Sequence, residues 1–142
     1  GPVVVYTVLD DSRATERARM GLAADGDAVA IDFDPTGQFL AILGEKTLEV
    51  RNLKSPFVFL WPSRIAKGLS PIQSGQVEFS PLNTVLAIGT PHGWQLRRTS
   101  DLSLVAEQKE QSISSLAFSD DGCLVAFGTA DGIVEIWSVP EP

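Results

Sequence analysis

Few residues in this 142-residue chain could carry out acid–base, nucleophilic or metal chemistry. The only histidine, His92, lies in Thr90-Pro-His-Gly93 with no second metal ligand nearby in the sequence. We interpret it as a turn residue, because a lone histidine makes a poor metal site or general base. The only cysteine, Cys123, follows a glycine at the start of a strand, and a small packing residue is favoured over a reactive thiol. The sequence therefore predicts no metal, no cofactor and no catalytic site.

The carboxylates favour a structural interpretation as well. Four aspartates occupy turn positions, where local hydrogen bonds to the backbone explain them: Asp34, Asp120, Asp121 and Asp131. No glycine-rich phosphate loop precedes a helix, and no GxSxG nucleophile motif occurs. An enzyme is not expected.

Composition and charge limit the classes of protein that fit. Hydrophobic residues make up 44% and charged residues 20% of the chain, which is ordinary for a globular domain. The net charge of -7 argues against a nucleic-acid-binding surface. A single cysteine cannot form an internal disulfide, which favours the cytoplasm or nucleus, and no apolar run approaches the roughly 20 residues that span a bilayer. Gly1-Pro2 is interpreted as a protease-cleavage scar, outside a single domain over residues 3–142.

The elements that position these residues are most evident near the C-terminus. Three runs of alternating apolar residues between Ile113 and Val139 are separated by Asp121-Gly122 and Asp131-Gly132. Asp-Gly tolerates the positive φ angles of tight hairpin turns. A three-stranded antiparallel meander is predicted.

The same pattern occurs three times along the chain. Each unit has an apolar strand that ends on phenylalanine, a turn, and a second strand with an alanine eight residues after the phenylalanine. The phenylalanines are Phe33, Phe79 and Phe118, and the alanines are Ala41, Ala87 and Ala126. A third strand follows in each unit, and Arg51 and Arg97 occupy the position that Trp137 has in the last one.

This pattern resembles the WD-repeat family of β-propellers, whose blades end a strand in Trp-Asp. Here the pair is Trp137-Ser138, and the phenylalanine spacings of 46 and 39 residues lie near the family's period of roughly 40–45. The resemblance implies an all-β half propeller: two complete four-stranded blades and a third completed by an N-terminal strand. Its expected parts are blades over about 28–61, 76–108 and 113–138, a closing strand over 3–9, and fourth strands at Phe57–Trp61 and Leu102–Ala106.

The resemblance also implies structural residues. Thr129, Asp131 and Trp137 match the hydrogen-bonding network of the family in the third blade, although Gln111-Ser112 stands where the family has Gly-His. Arg51 and Arg97 replace tryptophan in the other two blades. The residues expected to be structural are Phe33, Phe79, Phe118, Thr129, Asp131 and Trp137.

The segment between the closing strand and the first blade has two interpretations. Asp10–Asp27 is either a solvated connecting loop with a helical turn, or it contains a short helix over Arg13–Leu22 with Ser12 as its N-cap. Both are left open.

Three blades are too few for a closed ring, since propellers typically hold 4–8. An open arc leaves apolar faces and a strand edge uncovered. We therefore expect a homodimer that builds six blades, or completion by another propeller chain. A fragment of a longer WD-repeat protein is the alternative.

The resemblance implies a protein–protein interaction scaffold. The two long connections, Asp10–Asp27 and Pro62–Gly75, are expected on one rim, where their basic and apolar residues would bind the partner: Arg13, Arg17, Arg19, Met20, Arg64, Ile65 and Lys67. A rival hypothesis is recognition of phosphate, lipid headgroups or nucleic acid by these residues, joined by Arg97 and Arg98. Binding of that kind would weaken steeply with salt.

Overall fold

The computed structural model describes residues 3–8, 14–20, 26–54, 64–67 and 69–140. The regular elements in these ranges are β-strands, arranged in separate antiparallel sheets that do not close into a ring. This confirms the predicted all-β class with propeller blades. No helix in these ranges could cross a membrane. We call the three larger sheets blades 1 to 3, in chain order.

Blade 1 contains β3 (Ala28–Phe33), β4 (Phe39–Gly44), β5 (Leu48–Asn52) and β6 (Arg64–Ala66), paired in that order. Its fourth strand differs from the prediction, because Arg64–Ala66 pairs with β5 instead of lying in a loop. The strand predicted at Phe57–Trp61 lies outside the described residues.

Blade 2 contains β7 (Gln76–Phe79), β8 (Val85–Thr90), β9 (Gly93–Arg98) and β10 (Leu104–Lys109). The fourth strand was predicted two residues too early. Leu102 belongs to the preceding turn, where it has φ 61° and donates its N–H to the Arg98 carbonyl.

Blade 3 contains β11 (Ile113–Phe118), β12 (Leu124–Thr129) and β13 (Val134–Ser138). Gly122 and Gly132 adopt φ of 75° and 90° in the two connecting turns, as the Asp-Gly pairs predicted. Within the described part of the chain, β13 pairs only with β12, so its outer edge is open.

The N-terminal strands form a hairpin of β1 (Val3–Val8) with β2 (Ala14–Met20). The helix and the loop predicted for this segment are both wrong, since Ala14–Met20 satisfies its backbone by pairing with β1. Val3 is buried against Leu40 and Ile42 of blade 1. Because β1 pairs with β2 and not with β13, completion of a third blade by β1 could come only from a second chain and stays a prediction.

The blades stack face to face, and side chains alternate between the two faces of each strand. We call the face toward the preceding blade in the chain the front, and the opposite face the back. The back of blade 1 packs on the front of blade 2 through Ala41, Leu43, Leu48 and Val50 against Val77, Phe79, Leu86 and Ile88. The back of blade 2 packs on the front of blade 3 through Ala87, Trp94 and Leu96 against Val125 and Phe127.

Candidate functional site: the open faces of the blade arc

The third strand of each blade carries a hydrogen-bond donor two residues after an acceptor, on the front face. The atoms are Arg51 Nη2 and Glu49 Oε1 at 2.7 Å, Arg97 Nε and Gln95 Oε1 at 2.9 Å, and Trp137 Nε1 and Glu135 Oε2 at 3.1 Å. Arg51 and Arg97 thus donate, from the position equivalent to Trp137, to the side chain two residues earlier, as Trp137 does. Comparison of the three repeats in the sequence identified the shared position of Arg51, Arg97 and Trp137, but not the acceptor two residues before it.

Trp94, which was not singled out in the sequence analysis, is the aromatic anchor between blades 2 and 3. Its ring stacks on Phe127 with centroids 4.6 Å apart and planes 7° apart, and it is only 3% exposed. Trp137 lies tilted against Trp94 at 5.4 Å and is 42% exposed. Trp137, one of the residues expected to be structural, is therefore a partly exposed neighbour of the buried Trp94.

The predicted network of blade 3 forms only in part. The Thr129 hydroxyl bonds the Asp131 carboxylate and also accepts the Ile133 N–H at 3.1 Å, which fixes the turn. Trp137 donates to Glu135 and not to this pair. Thr129 and Asp131 therefore stabilise a turn, and Trp137 belongs to the third-strand pair.

Carboxylates on the inner strands link one blade to the next. Asp32 Oδ2 of blade 1 accepts the Phe79 N–H of blade 2 at 2.8 Å. Desolvation raises the pKa of Asp32, against the lowering effect of this bond. Glu78 has the same position in blade 2: desolvation raises its pKa, and the Phe118 N–H of blade 3 acts in the opposite direction. In blade 3 the matching position is Ala117, which offers no acceptor.

The predicted basic rim is not assembled by the side chains that the structure describes. Arg64 Nη1 donates to the Thr99 carbonyl of blade 2 at 2.6 Å, and its guanidinium lies 4.8 Å from the centroid of the Phe39 ring. Ile65 is partly buried and Lys67 is exposed. Arg17, Arg19 and Met20 lie on β2, and Arg13 falls outside the described residues. Arg64 thus links blades 1 and 2.

His92 is a turn residue, as predicted. Its N–H donates to Thr90 Oγ1 at 3.0 Å, and its ring Nε2 lies 3.2 Å from the Pro71 carbonyl. A cleft of about 850 Å³, lined also by Ile72 and Trp94, opens beside it. Among the described residues, no three His, Cys, Asp or Glu side chains gather as a metal site. Cys123 is exposed, contrary to the packing role expected for it.

The back of blade 3 is an apolar surface without a cover in the described structure. Val134 and Ile136 are 68% and 66% exposed. The matching residues of blades 1 and 2 are each at most 3% exposed, because the next blade covers them; they are Leu48, Val50, Trp94 and Leu96. Leu124 and Ala126 continue the same face. Blade 3 therefore presents a surface of the kind that buries another blade.

The inner part of the front of blade 1 is open too. Ile31 and Phe33 are 53% and 49% exposed, whereas the matching Val77 and Phe79 of blade 2 are 7% and 5% exposed. Phe33 is thus half exposed, whereas Phe79 is buried, and the structural role expected for both stays a prediction. Nearer the outer strands, Val3 covers Leu40 and Ile42. Only the inner part of this face lacks a neighbour within the described residues.

Comparisons with known proteins agree with this arrangement. Residues 102–138 match a family model described as WD domain, G-beta repeat, and this range runs from the turn before β10 to the end of β13. The chain is 34% identical over 94 residues to Echinoderm microtubule-associated protein-like 2 of Rattus norvegicus, and 33% identical to the Mus musculus protein of that name. The aligned region covers 59% of this chain and 14% of each relative. The chain therefore spans about 14% of the length of the curated relatives it matches.

Proposed function

Because this chain belongs to the WD-repeat family, we propose that it is a non-enzymatic protein-interaction scaffold that assembles into a larger propeller, by self-association or with a partner protein. The observation that carries the proposal is the exposure of the back of blade 3, at positions buried between blades elsewhere in the chain. Apolar faces of this kind mark interaction surfaces. A cytoplasmic or nuclear location fits an exposed, unpaired Cys123 and belongs to the same proposal.

The use of the aspartates supports a non-enzymatic role. Asp101 and Asp121 accept backbone N–H groups two residues ahead, from Ser103 and Cys123, each at 2.9 Å. Hydrogen bonds from the side chains of Ser103 and Ser119 lower the pKa of these two carboxyls, and the backbone bonds add to the effect. They are ionised turn-forming groups, and neither is tuned as a general acid.

The rival function, phosphate or headgroup binding by a basic rim, is less well supported. Arg64 bonds a backbone carbonyl across the blade interface. Arg97 bonds Gln95 and the Leu102 carbonyl, which uses much of its donor capacity within blade 2. Among the residues of that hypothesis whose side chains are described, the exposed cations are Lys67 and Arg98, and two exposed cations are a weak basis for anion recognition.

The name of the relatives suggests which partner to test first. They are microtubule-associated proteins by name, and we propose microtubules as a candidate partner for this chain. Purified microtubules should co-sediment the chain saturably. Ile136→Glu, which places a charge on the back of blade 3, should reduce the pelleted fraction severalfold, because assembly of the larger propeller, by self-association or with the partner, would have to bury that charge.

Leu104→Glu is the matched control, since Leu104 is an exposed leucine on the outer strand of blade 2, away from both open faces. It should pellet like the unmodified chain. A chain that stays in the supernatant would remove microtubules as a partner. Equal pelleting of the Ile136 and Leu104 variants would contradict the role of the back of blade 3.

A further inference from the structure

We infer that the back of blade 3 docks on the front of blade 1 of a second copy, so that two copies close a ring of six blades. The inference rests on the proposed scaffold function and names the second copy as the partner that fits the open faces. Each copy would supply one donor face and one acceptor face to two identical seams.

The donor face is defined by equivalence with the two seams inside the chain. Val134 and Ile136 occupy the places of Leu48 and Val50 in blade 1, two residues whose side chains are fully buried against the front of blade 2. Ala126 occupies the place of Ala41 and Ala87, which are also fully buried. The surface that blade 3 presents is thus built to receive the front of a blade.

The acceptor face is present on the same chain. Ile31 and Phe33 occupy the places of Val77 and Phe79, the front residues that blade 1 buries. The equivalent turns between the first and second strands differ in the same way. A Cβ on Gly122 of blade 3 would lie 2.8 Å from Leu82 of the preceding blade, whereas a Cβ on Gly37 of blade 1 would meet no atom within 4 Å. The front of blade 1 thus lacks the neighbour that blade 3 has.

The strands at the two faces are complementary as well. Blade 3 has three strands, and the outer edge of β13 is open in the described chain. The β1–β2 hairpin already lies on the outer part of the front of blade 1, through Val3, and leaves the inner part uncovered. A three-stranded sheet placed over Ile31 and Phe33 would therefore bring its open edge toward this hairpin.

A second copy fits because it carries both faces: its blade 1 offers a front, and its blade 3 offers a back, of the kinds that pack together inside the chain. Within one copy, blade 2 separates the two faces. Contacts of this head-to-tail kind form a ring when the rotation closes. Six blades from two copies fall within the 4–8 of known propellers.

The seam between copies would lack a carboxylate that both internal seams have. Asp32 accepts the Phe79 N–H, and Glu78 has the same position in blade 2, where the Phe118 N–H lowers its pKa. Ala117 stands at this position on the donor face, and it is exposed. Ala117→Asp would supply an acceptor for the Phe33 N–H of the second copy. Each of the two seams would gain one such bond, and because about 1.4 kcal/mol is a factor of ten, the dissociation constant should fall about a hundredfold.

Sedimentation equilibrium of the complete chain tests the inference. The dimer would have twice the 15.2 kDa mass of the chain. Ile136→Glu and Phe33→Glu should each give monomers, and Leu104→Glu should leave the dimer intact. An equimolar mixture of the Ile136 and Phe33 variants should recover dimer, because one of its two seams then joins an unmodified donor face to an unmodified acceptor face.

Circular dichroism would show that each variant keeps its β-sheet content. Monomers of both the unmodified chain and Ala117→Asp at the highest soluble concentration would overturn the inference. So would a mixture of folded variants that recovers no dimer. The scaffold proposal would stand after either result if the unmodified chain pelleted with microtubules and the Ile136→Glu variant did not.

Discussion

At the scale of single residues, aromatic side chains decide how firmly blades 2 and 3 hold together. Trp94 is buried and stacked on Phe127, whereas Trp137 lies at the edge of the same cluster. The repeat pattern drew attention to Trp137 because it falls at the family's tryptophan position. The pattern could not identify Trp94 as the anchor, since the stacking partner comes from another blade.

Trp94→Ala should lower the free energy of unfolding by about 3–5 kcal/mol, because it empties a buried aromatic site. Trp137→Ala should cost about 1–2 kcal/mol, because much of that ring is already in contact with solvent. Urea unfolding followed by circular dichroism measures both. A larger loss for the Trp137 variant would contradict the assignment of the anchor.

Glu49 and Arg51 form an ion pair whose side chains are at most 1% exposed. Removing either side chain breaks this buried ion pair, so Glu49→Gln and Arg51→Met should each cost about 3–5 kcal/mol. The loss in the double variant should be smaller than the sum of the two single losses, because both single variants remove the same ion pair. A double-mutant cycle in urea measures the coupling. Additive losses would show that the two charges do not compensate each other.

At the scale of elements, carboxylates link the inner strands of neighbouring blades. Their recurrence is visible in the sequence, but their hydrogen-bond partners are not. An acidic residue precedes the strand-ending phenylalanine in blades 1 and 2, at Asp32 and Glu78, and this recurrence was the available signal. Its meaning depends on a backbone N–H of the next blade, 47 residues away in the case of Asp32. Periodicity along one strand carries no information about such a partner.

The pH dependence of the free energy of unfolding should reveal the titration of Asp32. Desolvation raises its pKa above the usual value of 3.8, so the folded chain binds this proton more tightly than the unfolded chain does. The contribution of Asp32 to stability is therefore present in full below 3.8 and is lost as pH rises through the folded pKa. Asp32→Asn, which keeps an acceptor oxygen but does not titrate, should flatten this part of the profile.

Asp32→Ala is the companion variant, because it also removes the acceptor for the Phe79 N–H. Leaving that buried donor unpaired should cost about 1–3 kcal/mol at acidic pH relative to Asp32→Asn. Chemical denaturation across the pH range measures both effects. Equal stabilities of the two variants would show that the bond between blades 1 and 2 contributes nothing.

The strands show what a single sequence can and cannot predict. The alternating apolar runs and the turn residues between them, Asp-Gly in blade 3, predicted the first three strands of each blade, because those signals are local. The fourth strand of blade 1 and the strand Ala14–Met20 were missed. Both are set by pairing with a neighbouring strand, which outweighs the helical tendency of an alanine- and arginine-rich segment.

At the scale of the whole molecule, the chain is an arc of blades with one open face at each end. The sequence predicted that such faces must exist, by counting strands, but not which side chains form them. The structure identifies them by comparison between blades: Val134 and Ile136 at one end, and Ile31 and Phe33 at the other. The predicted rim of basic residues has less support than these two faces, because Arg64 is held between blades.

The most direct test of closure by a second copy is a pulsed dipolar EPR distance between spin labels on Cys123. This residue is the only cysteine in the chain and is exposed, so each copy carries one label. A two-copy ring predicts a single, well-defined intermolecular distance that persists in Leu104→Glu and disappears in Ile136→Glu. The absence of any intermolecular distance in the unmodified chain, or its persistence in Ile136→Glu, would contradict closure through the back of blade 3.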